Sequence, residues 1–540
     1  MNRSQRRKAQ RKASAKPSKA VQSAPKVEGT FGTGAASRGF DTANNGASPS
    51  RRAMRGWNPW AARNPDDEIL LERAELVARS RDAYRNQPIA RSAVNTMLTS
   101  VIGSGLELHC RIDRKFLGFD ANDQAATEWE RTTERLFRAW ANSTDADARR
   151  RNTFYRLQSI AYKSAKHTGE IFALLPIIPR KGTICNLRVQ LIEADRVSTP
   201  YDKVNGVLTE RTKPIVGSLW DGVETGVWGE PIAYHIETTV PSPYFELNRE
   251  WKRVQAYGPK SGRRQVIHFY EEDRPGQRRG IPFLSPILEM LKQISRYSDA
   301  ELTAAVVSGM FTVFIKHKDP DGDPLGGIGD GDGRGAPLGE SPDISLQSGA
   351  IIDLNDGEEV QTANPGRPNA NFGPFITEII RQIGMALNIP YEVLTKQFTS
   401  SYSASRAAIM QAWEVFKVER GWFVSEFLQP IYVEWLSEMI ASGVIQAPGF
   451  FDDIEIQRAY SQSAWYGPTP LQLDPVKEAN AAKTRMEALL TTLAEETEGY
   501  NGGDWAENLY QRKRENEVIA ECGIVAVTPT PTQNISVFPE

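Results

Sequence analysis

The sequence predicts an α+β fold in which helical stretches flank a middle region of short antiparallel strands, and three observations carry that prediction. Apolar residues recur at helical spacing between residues 66 and 168. From Glu170 to Tyr270 the texture changes to short apolar or β-branched runs separated by Gly, Pro and Asp. Helical periodicity then returns at Ser285 and persists almost to the end, broken by one insert with strand character. A chain of 540 residues has room for several domains and a sizeable core. Its net charge of −2 hides an asymmetry: residues 1–27 hold nine Lys and Arg and no acid, which leaves −11 on the remainder.

Taken in order, residues 1–65 are rich in Ala, Ser, Gly, Asn and basic residues, too poor in aliphatics to offset ordering entropy, and read as a disordered basic arm. Asp66, Asp67 and Glu68 favour the start of a first helix, whose stripe begins with Ile69, Leu70, Leu76 and Val77. A second helix is expected over Ala90–Val101, a third over Asn122–Ala141 with Trp129, Leu136, Phe137 and Trp140 on one side, and a fourth over Thr153–Thr168, stopped by Gly169. Strands are predicted at Ile171–Leu175, Leu187–Ile192, Val227–Trp228, Ala233–Glu237 and Val266–Phe269. Ser285-Pro286 reads as an N-cap with Pro at the first helical position, opening a helix that runs to Gly309. Strands Phe311–Ile315 and Ala350–Leu354 then enclose a Gly/Asp/Pro-rich loop, Asp319–Asp343, before a helix over Pro374–Leu387. The longest helical pattern, Ala404–Ile440, carries the stripe Ile409, Trp413, Phe416, Phe423, Phe427, Ile431, Trp435 and Met439, with Pro430 set to kink it. Two last helices are expected, Asp474–Glu496 and Asp504–Cys522, the second with an Asp504/Glu507 capping box.

Several kinds of chemistry are missing. There is no G-x-x-x-x-G-K-[ST] phosphate cradle, no H-E-x-x-H, no C-x-x-C and no G-x-S-x-G, which argues against a P-loop motor and the common hydrolases. Cys110, Cys185 and Cys522 are too few and too scattered for a disulfide framework or a metal set, which points to a reducing compartment. No uncharged apolar run reaches 18 residues, so no membrane span is expected. An Arg- and Ser-rich N-terminus could suit a transit peptide, but Pro17 and Pro25 interrupt the helix it would need. His109, His167, His235, His268 and His317 stand alone and read as hydrogen-bonded structural residues. Asp319, Asp321 and Asp323 alternate like the first ligands of a calcium loop, with Asp330 and Asp332 following. Pro324 occupies the place of the turn Gly and Asp330 that of the bidentate Glu, so the segment is expected to be a flexible loop. No metal and no cofactor is implied. The arm residues Arg3, Arg6, Arg7, Lys8, Arg11 and Lys12 could meet nucleic acid by counterion release, or serve as a solubilising or assembly tail.

Seven stretches, in one order, resemble the lambda-like family of tailed-bacteriophage portal proteins. They are Asn86–Leu108 (NQPIARSAVNTMLTSVIGSGLEL), Phe154–Glu170 ending in T-G-E, Gln190–Pro200 (QLIEADRVSTP), Arg274–Glu289 (RPGQRRGIPFLSPILE), Leu387–Leu394 (LNIPYEVL), Ser401–Trp413 (SYSASRAAIMQAW) and Asp474–Lys483 (DPVKEANAAK). The similarity covers about residues 66–525 and omits the arm, the length of the Gly/Asp loop and the final segment.

The resemblance implies a portal fold: a helical wing with a small antiparallel β subdomain, a two-helix stem, a β-containing clip and a helical crown, assembled as a ring. Carried onto this chain, the arm is 1–65, the wing 66–282, the first stem helix 283–310, the clip 311–368, the second stem helix 369–391, the tunnel loop 392–403, the long wing helix with its connection 404–473, and the crown with the tail 474–540. Such a ring, usually of twelve subunits, is a structural component rather than an enzyme. It sits at one capsid vertex of the virion, after assembly in the host cytoplasm. Double-stranded DNA enters and leaves through it, the terminase large subunit docks on the clip, and a head-completion or adaptor protein later replaces it; major capsid and scaffold proteins are the remaining partners. The tunnel loop would present Lys396, Gln397, Phe398, Thr399, Ser400, Ser401 and Tyr402 to DNA. Glu289, Asp299 and Glu301 are the expected acidic channel-facing residues of the stem, and Lys292 and Arg296 its intermittent phosphate contacts. Two other classes stay open on the residues alone: a metal-dependent nuclease with a basic docking arm, and an adaptor or baseplate component without a bore.

Overall fold

The computed structural model describes residues 64–522 except 121–122, 204, 211–212, 239–248, 311–313, 318–357, 362–370, 399–400 and 471–473. The predicted arm and the Asp319–Asp343 loop, with Asp319, Asp321, Asp323, Asp330 and Asp332, lie outside the described residues, as do Arg3, Arg6, Arg7, Lys8, Arg11 and Lys12.

Helices α1 (Pro65–Asn86), α2 (Pro88–Val101), α3 (Gln124–Asn142) and α4 (Phe154–Thr168) build the first helical layer, with strand β1 (Glu107–Cys110) between α2 and α3. Their caps follow local chemistry: Asn64, Asp123 and Thr153 each accept an N–H from the first turn, and Gly169 closes α4 at φ +90°. Only glycine fits there, because a Cβ would stand 2.6 Å from the Ile281 carbonyl carbon.

The middle region forms two antiparallel sheets. β2 (Glu170–Leu174) pairs with β3 (Gln190–Ile192) on one side and, later in the chain, with β9 (Val266–Tyr270) on the other. Strands β4 (Gly206–Glu210), β5 (Lys213–Trp220), β6 (Val223–Thr225), β7 (Pro231–Glu237) and β8 (Trp251–Gln255) form a five-stranded meander. The predicted strand at Val227–Trp228 is instead the β6–β7 turn. Its apolar residues are exposed, Trp228 by 92%, and Glu230 holds the turn by accepting the Trp228 N–H at 2.9 Å.

Helix α5 (Leu288–Met310) follows a 3-10 turn, Ser285–Ile287, so Ser285 lies inside that turn and does not cap; its hydroxyl is buried without a partner. β10 (Phe314–His317) pairs antiparallel with β11 (Glu358–Gln361), four residues beyond the predicted Ala350–Leu354 strand, which falls outside the described residues. Next come α6 (Phe372–Ala386), a short α7 (Tyr391–Thr395) that sequence reading missed, and α8 (Tyr402–Phe423). A π turn, Val424–Leu428, joins α8 to α9 (Gln429–Ala441). Pro430 has no N–H to offer the carbonyl four residues back, and the π turn absorbs that defect. α10 (Ile454–Tyr460) leads into β12 (Ser463–Tyr466), which pairs with β1 across more than 350 residues.

The end of the chain holds three helices rather than two: α11 (Pro475–Glu487), α12 (Leu493–Asn501) and α13 (Trp505–Glu521). The break falls where Leu489 turns to φ +57° and a Thr492/Glu495 capping box starts the next helix. The capping box predicted at Asp504 is half made: Asp504 accepts the Ala506 N–H, but Glu507 reaches across to Arg138 at 3.2 Å.

The main core joins α2, α3 and α4 to α8 and α9. Phe137 is its hub, edge-on to Phe154, Tyr432, Trp435 and Trp465 at centroid distances of 5.1–5.8 Å. Of the predicted long-helix stripe, Trp413, Phe416, Phe423, Phe427, Ile431, Trp435 and Met439 are buried and Ile409 half-buried. A second, smaller core of Phe172, Ile192, Val197, Val223, Tyr234, Ile236, Ala256 and Val266 lies under the sheets.

Candidate functional site: the helical hairpin and the loop after it

α5 and α6 bracket the β10/β11 pair and pack on each other, so together they make a hairpin with the strand pair in its connection. At the base, Leu291, Ile294, Ile383 and Leu387 are buried in the main core. Farther along, Tyr297 stacks on Phe372 at 5.5 Å and meets Phe375 edge-on at 5.1 Å. Beyond that the apolar residues face outward in the single chain: Leu302 is 67% and Val306 50% exposed.

Glu289, Lys292, Arg296 and Asp299 are all exposed and recur at spacings of three, four and three, which lines them up as one stripe along α5. Gln293, Ala300 and Thr303 complete that stripe, so its formal charge is balanced rather than acidic. Glu289 accepts a hydrogen bond from Gln293 at 3.0 Å. Glu301, half-buried, lies roughly 150° around the helix from that stripe at about 100° per residue.

The loop after α7 is shorter than the predicted 392–403, because helix occupies both its ends. Lys396 leaves α7 in the left-handed conformation, φ +58°, and Lys396, Gln397 and Phe398 are exposed. Thr399 and Ser400 lie outside the described residues, Ser401 caps α8 by accepting the Ala404 N–H, and Tyr402 already belongs to that helix.

Three of the seven quoted stretches, far apart in sequence, meet at a buried ion cluster that local patterns did not reveal. The Glu170 carboxylate, fully buried, accepts from the Arg279 guanidinium at 2.5–3.0 Å, from His268 Nε2 at 2.9 Å and from the Gly280 N–H at 3.1 Å, with Arg73 Nη1 at 3.3 Å. Arg279 also donates to the carbonyls of Ala194, Val197 and Asp221. Burial works against ionisation of Glu170, but Arg279 and Arg73 overcome it and hold its pKa well below the carboxylate range. Burial lowers the pKa of His268. Nearby, Arg278 pairs with Asp66 at 2.5 Å, tying the start of α1 to the same segment. The cluster ties the two sheets to α1 and to the segment that leads into the hairpin.

Two other histidines fit structural roles: His235 contacts Glu224 at 3.3 Å, and His109 lies 3.9 Å from both Glu134 and Asp504, whereas His167 departs from the expectation, its buried Nδ1 having no hydrogen-bond partner. Among the described residues no three His, Cys, Asp or Glu side chains are grouped to hold a metal, and no helix is long and apolar enough to cross a membrane.

Comparison with known proteins agrees with the quoted stretches. The family described as "Phage portal protein, lambda family" matches residues 50–420. The portal protein of Escherichia phage N15 is 23% identical over 484 residues, covering 86% of this chain and 87% of that protein, and portal protein B of Escherichia phage lambda is 23% identical over 480 residues with the same coverage. Among solved structures, the neck of a native gene transfer agent particle computed with C12 symmetry has a TM-score of 0.40 at 13% identity, covering 78% of this chain and 92% of that one, and the native gene transfer agent virion has a TM-score of 0.41 at 13% identity, covering 81% and 93%. A hairpin of two helices on a mixed helical and antiparallel body is thus the scaffold of a phage structural protein. The chain belongs to the lambda family of phage portal proteins.

Proposed function

We propose that copies of this chain close into a ring at one vertex of the capsid, with the α5 stripe facing the channel and the loop after α7 at its constriction. The balanced charge of that stripe carries the proposal. A duplex sliding past Glu289, Lys292, Arg296 and Asp299 meets cations that touch phosphate and anions that release it, with no continuous basic track to hold it. Lys396 adds one cation per chain beside Phe398, a mixed surface suited to transient contact. The exposed Leu302 and Val306 favour burial against a neighbouring chain, since apolar residues on a long projecting helix gain little in water.

In this reading the protein is structural and performs no catalysis. Twelve subunits are the expected number. The end of the hairpin, carrying the β10/β11 pair, receives the terminase large subunit during packaging and a head-completion or adaptor protein afterwards, while the wing meets major capsid and scaffold proteins. Assembly takes place in the host cytoplasm and the ring ends in the virion. The residues of the Asp319–Asp343 loop belong to the docking end, and the basic arm to DNA retention or shell incorporation.

End-on electron micrographs of the purified protein test the ring directly: particles with a duplex-wide hole support it, and a monomer that cuts DNA with magnesium rejects it in favour of a nuclease. The stripe is tested by Glu289→Lys with Asp299→Lys, which makes four cations of it. Rings of this variant should form normally yet retain DNA against salt and package slowly; unchanged packaging would refute the channel-facing assignment.

A further inference from the structure

The helices α1, α2 and α4 carry a second cluster of charge, with α1 packed on α5 and α2 on α7. Arg81 stands on α1, Arg91 on α2, and Arg156, Lys163 and His167 on α4, whose spacings of seven and four place these three on one face. The helices α1, α2 and α4 pack on one another, which gathers the five side chains. Arg91 and Arg156 are exposed and Lys163 is half-buried.

Among the described residues only Arg81 of this cluster has an acidic partner. Among the described residues no carboxylate forms an ion pair with Arg91, Arg156 or Lys163; the charges acting on Lys163 are those of Arg156 and Arg91, which with burial lower its pKa. His167 is pushed down to about 4 by burial, by Arg81 and by Lys163. Arg81 pairs with Asp195 through one nitrogen, while its Nη2 and the Nδ1 of His167 are buried with no hydrogen-bond partner.

We propose that this patch binds the phosphates of double-stranded DNA, as a contact on α1, α2 and α4 additional to the α5 stripe. A single carboxylate from a protein partner would leave most of the set unbalanced, whereas a duplex strand brings a negative charge about every 3.4 Å. The cations come from three elements and spread over a face, which suits a backbone read without regard to sequence. The inference rests on the reading that this portal handles duplex DNA.

The test uses the full chain and a short blunt duplex, with binding followed by fluorescence anisotropy over a salt series. Each phosphate contact contributes a slope of about 0.9 in log affinity against log salt. Arg156→Gln with Lys163→Gln should therefore flatten the slope by about 1.8 for every chain touching the duplex, while Arg156→Lys with Lys163→Arg should retain it. If the Gln pair leaves the slope unchanged while Lys292→Gln with Arg296→Gln flattens it, this inference falls and the channel reading stands. If no form of the protein binds duplex at all, the channel reading falls with it. Polyglutamate that competes only when the patch is intact, with no change in the DNA slope, would make the patch a protein-docking surface and overturn the proposal.

Discussion

Replacing Arg279 by Met asks whether one buried ion cluster holds the sheets to the helices. In the folded protein Arg279 is fully buried, grips Glu170 through two nitrogens and satisfies three carbonyls, of Ala194, Val197 and Asp221. Met fills similar space but returns none of these bonds. Removing one partner of a buried pair costs about 3–5 kcal/mol because the other charge stays in the interior. Arg73 and His268 remain beside Glu170 and moderate that cost, whereas the carbonyls of Val197 and Asp221, which lose the Arg279 donor, add to it; that of Ala194 keeps the Val197 N–H at 3.1 Å. A loss of about 4 kcal/mol is the balance. A chain of several packed units does not unfold in one step, so the loss is best read locally, as hydrogen exchange of the β2 and β9 amides. Exchange there should quicken about a thousandfold, at 1.36 kcal/mol per decade. Adding Glu170→Leu to Arg279→Met removes the stranded carboxylate and should recover about 2 kcal/mol. Less than a tenfold change in the single variant, or a double variant as damaged as the single, would refute the assignment.

The same cluster sets a sign for pH. Glu170 is held below its ordinary value of 4.5, so its contribution is present above that pH and is lost as pH falls through the folded pKa. His268, pushed down from 6.5 by burial, acts in the same direction, since the unfolded chain takes up its proton first. Acid should therefore loosen the sheets before the main core.

Two further outcomes are expected. Glu134, half-enclosed beside His109 and Asp504, is raised to about 7, chiefly by burial, so its folded form holds a proton between pH 4.5 and 7 and the site loses stability as pH rises through that window; Glu134→Gln should gain about 1–3 kcal/mol at pH 8 and nothing at pH 4, and a thermal-shift gain equal at both would disprove it. Leu489, at φ +57° and 91% exposed, occupies the position after the α11 C-cap in a Schellman arrangement, with Leu490 N–H bonded to the Arg485 carbonyl and Leu489 N–H to that of Met486; Leu489→Gly should stabilise the α11–α12 turn by about 0.5–1 kcal/mol, and a lower melting midpoint would contradict it.

These residues also mark what local sequence can and cannot say. The stripe from Trp413 to Met439 was legible because burial repeats with the helical period, and the stop at Gly169 because a helix end favours a residue that tolerates the left-handed conformation. The α11–α12 break was not, since no Gly or Pro lies between Val476 and Glu496 and the turn is made by a Leu held in a strained conformation. The β1–β12 pairing and the Glu170–Arg279 cluster join positions far apart in sequence, and nothing local announces such a partner. In the hairpin, the charges of α5 were readable one by one, but whether Glu301 shared their stripe depended on helical phase, and the phase excluded it.

The departure at Val227–Trp228 is the most instructive, because an apolar pair that reads as a strand is held out by a turn. Gly226 N–H bonds the Glu230 carbonyl, Glu230 accepts the Trp228 N–H, and a Cβ on Gly226 would strike the Glu230 carboxylate. These two hydrogen bonds hold the turn with Trp228 92% exposed. Apolar residues report contact without saying whether the contact lies within the chain, and the period of the pattern, absent in a two-residue run, is what tells the cases apart.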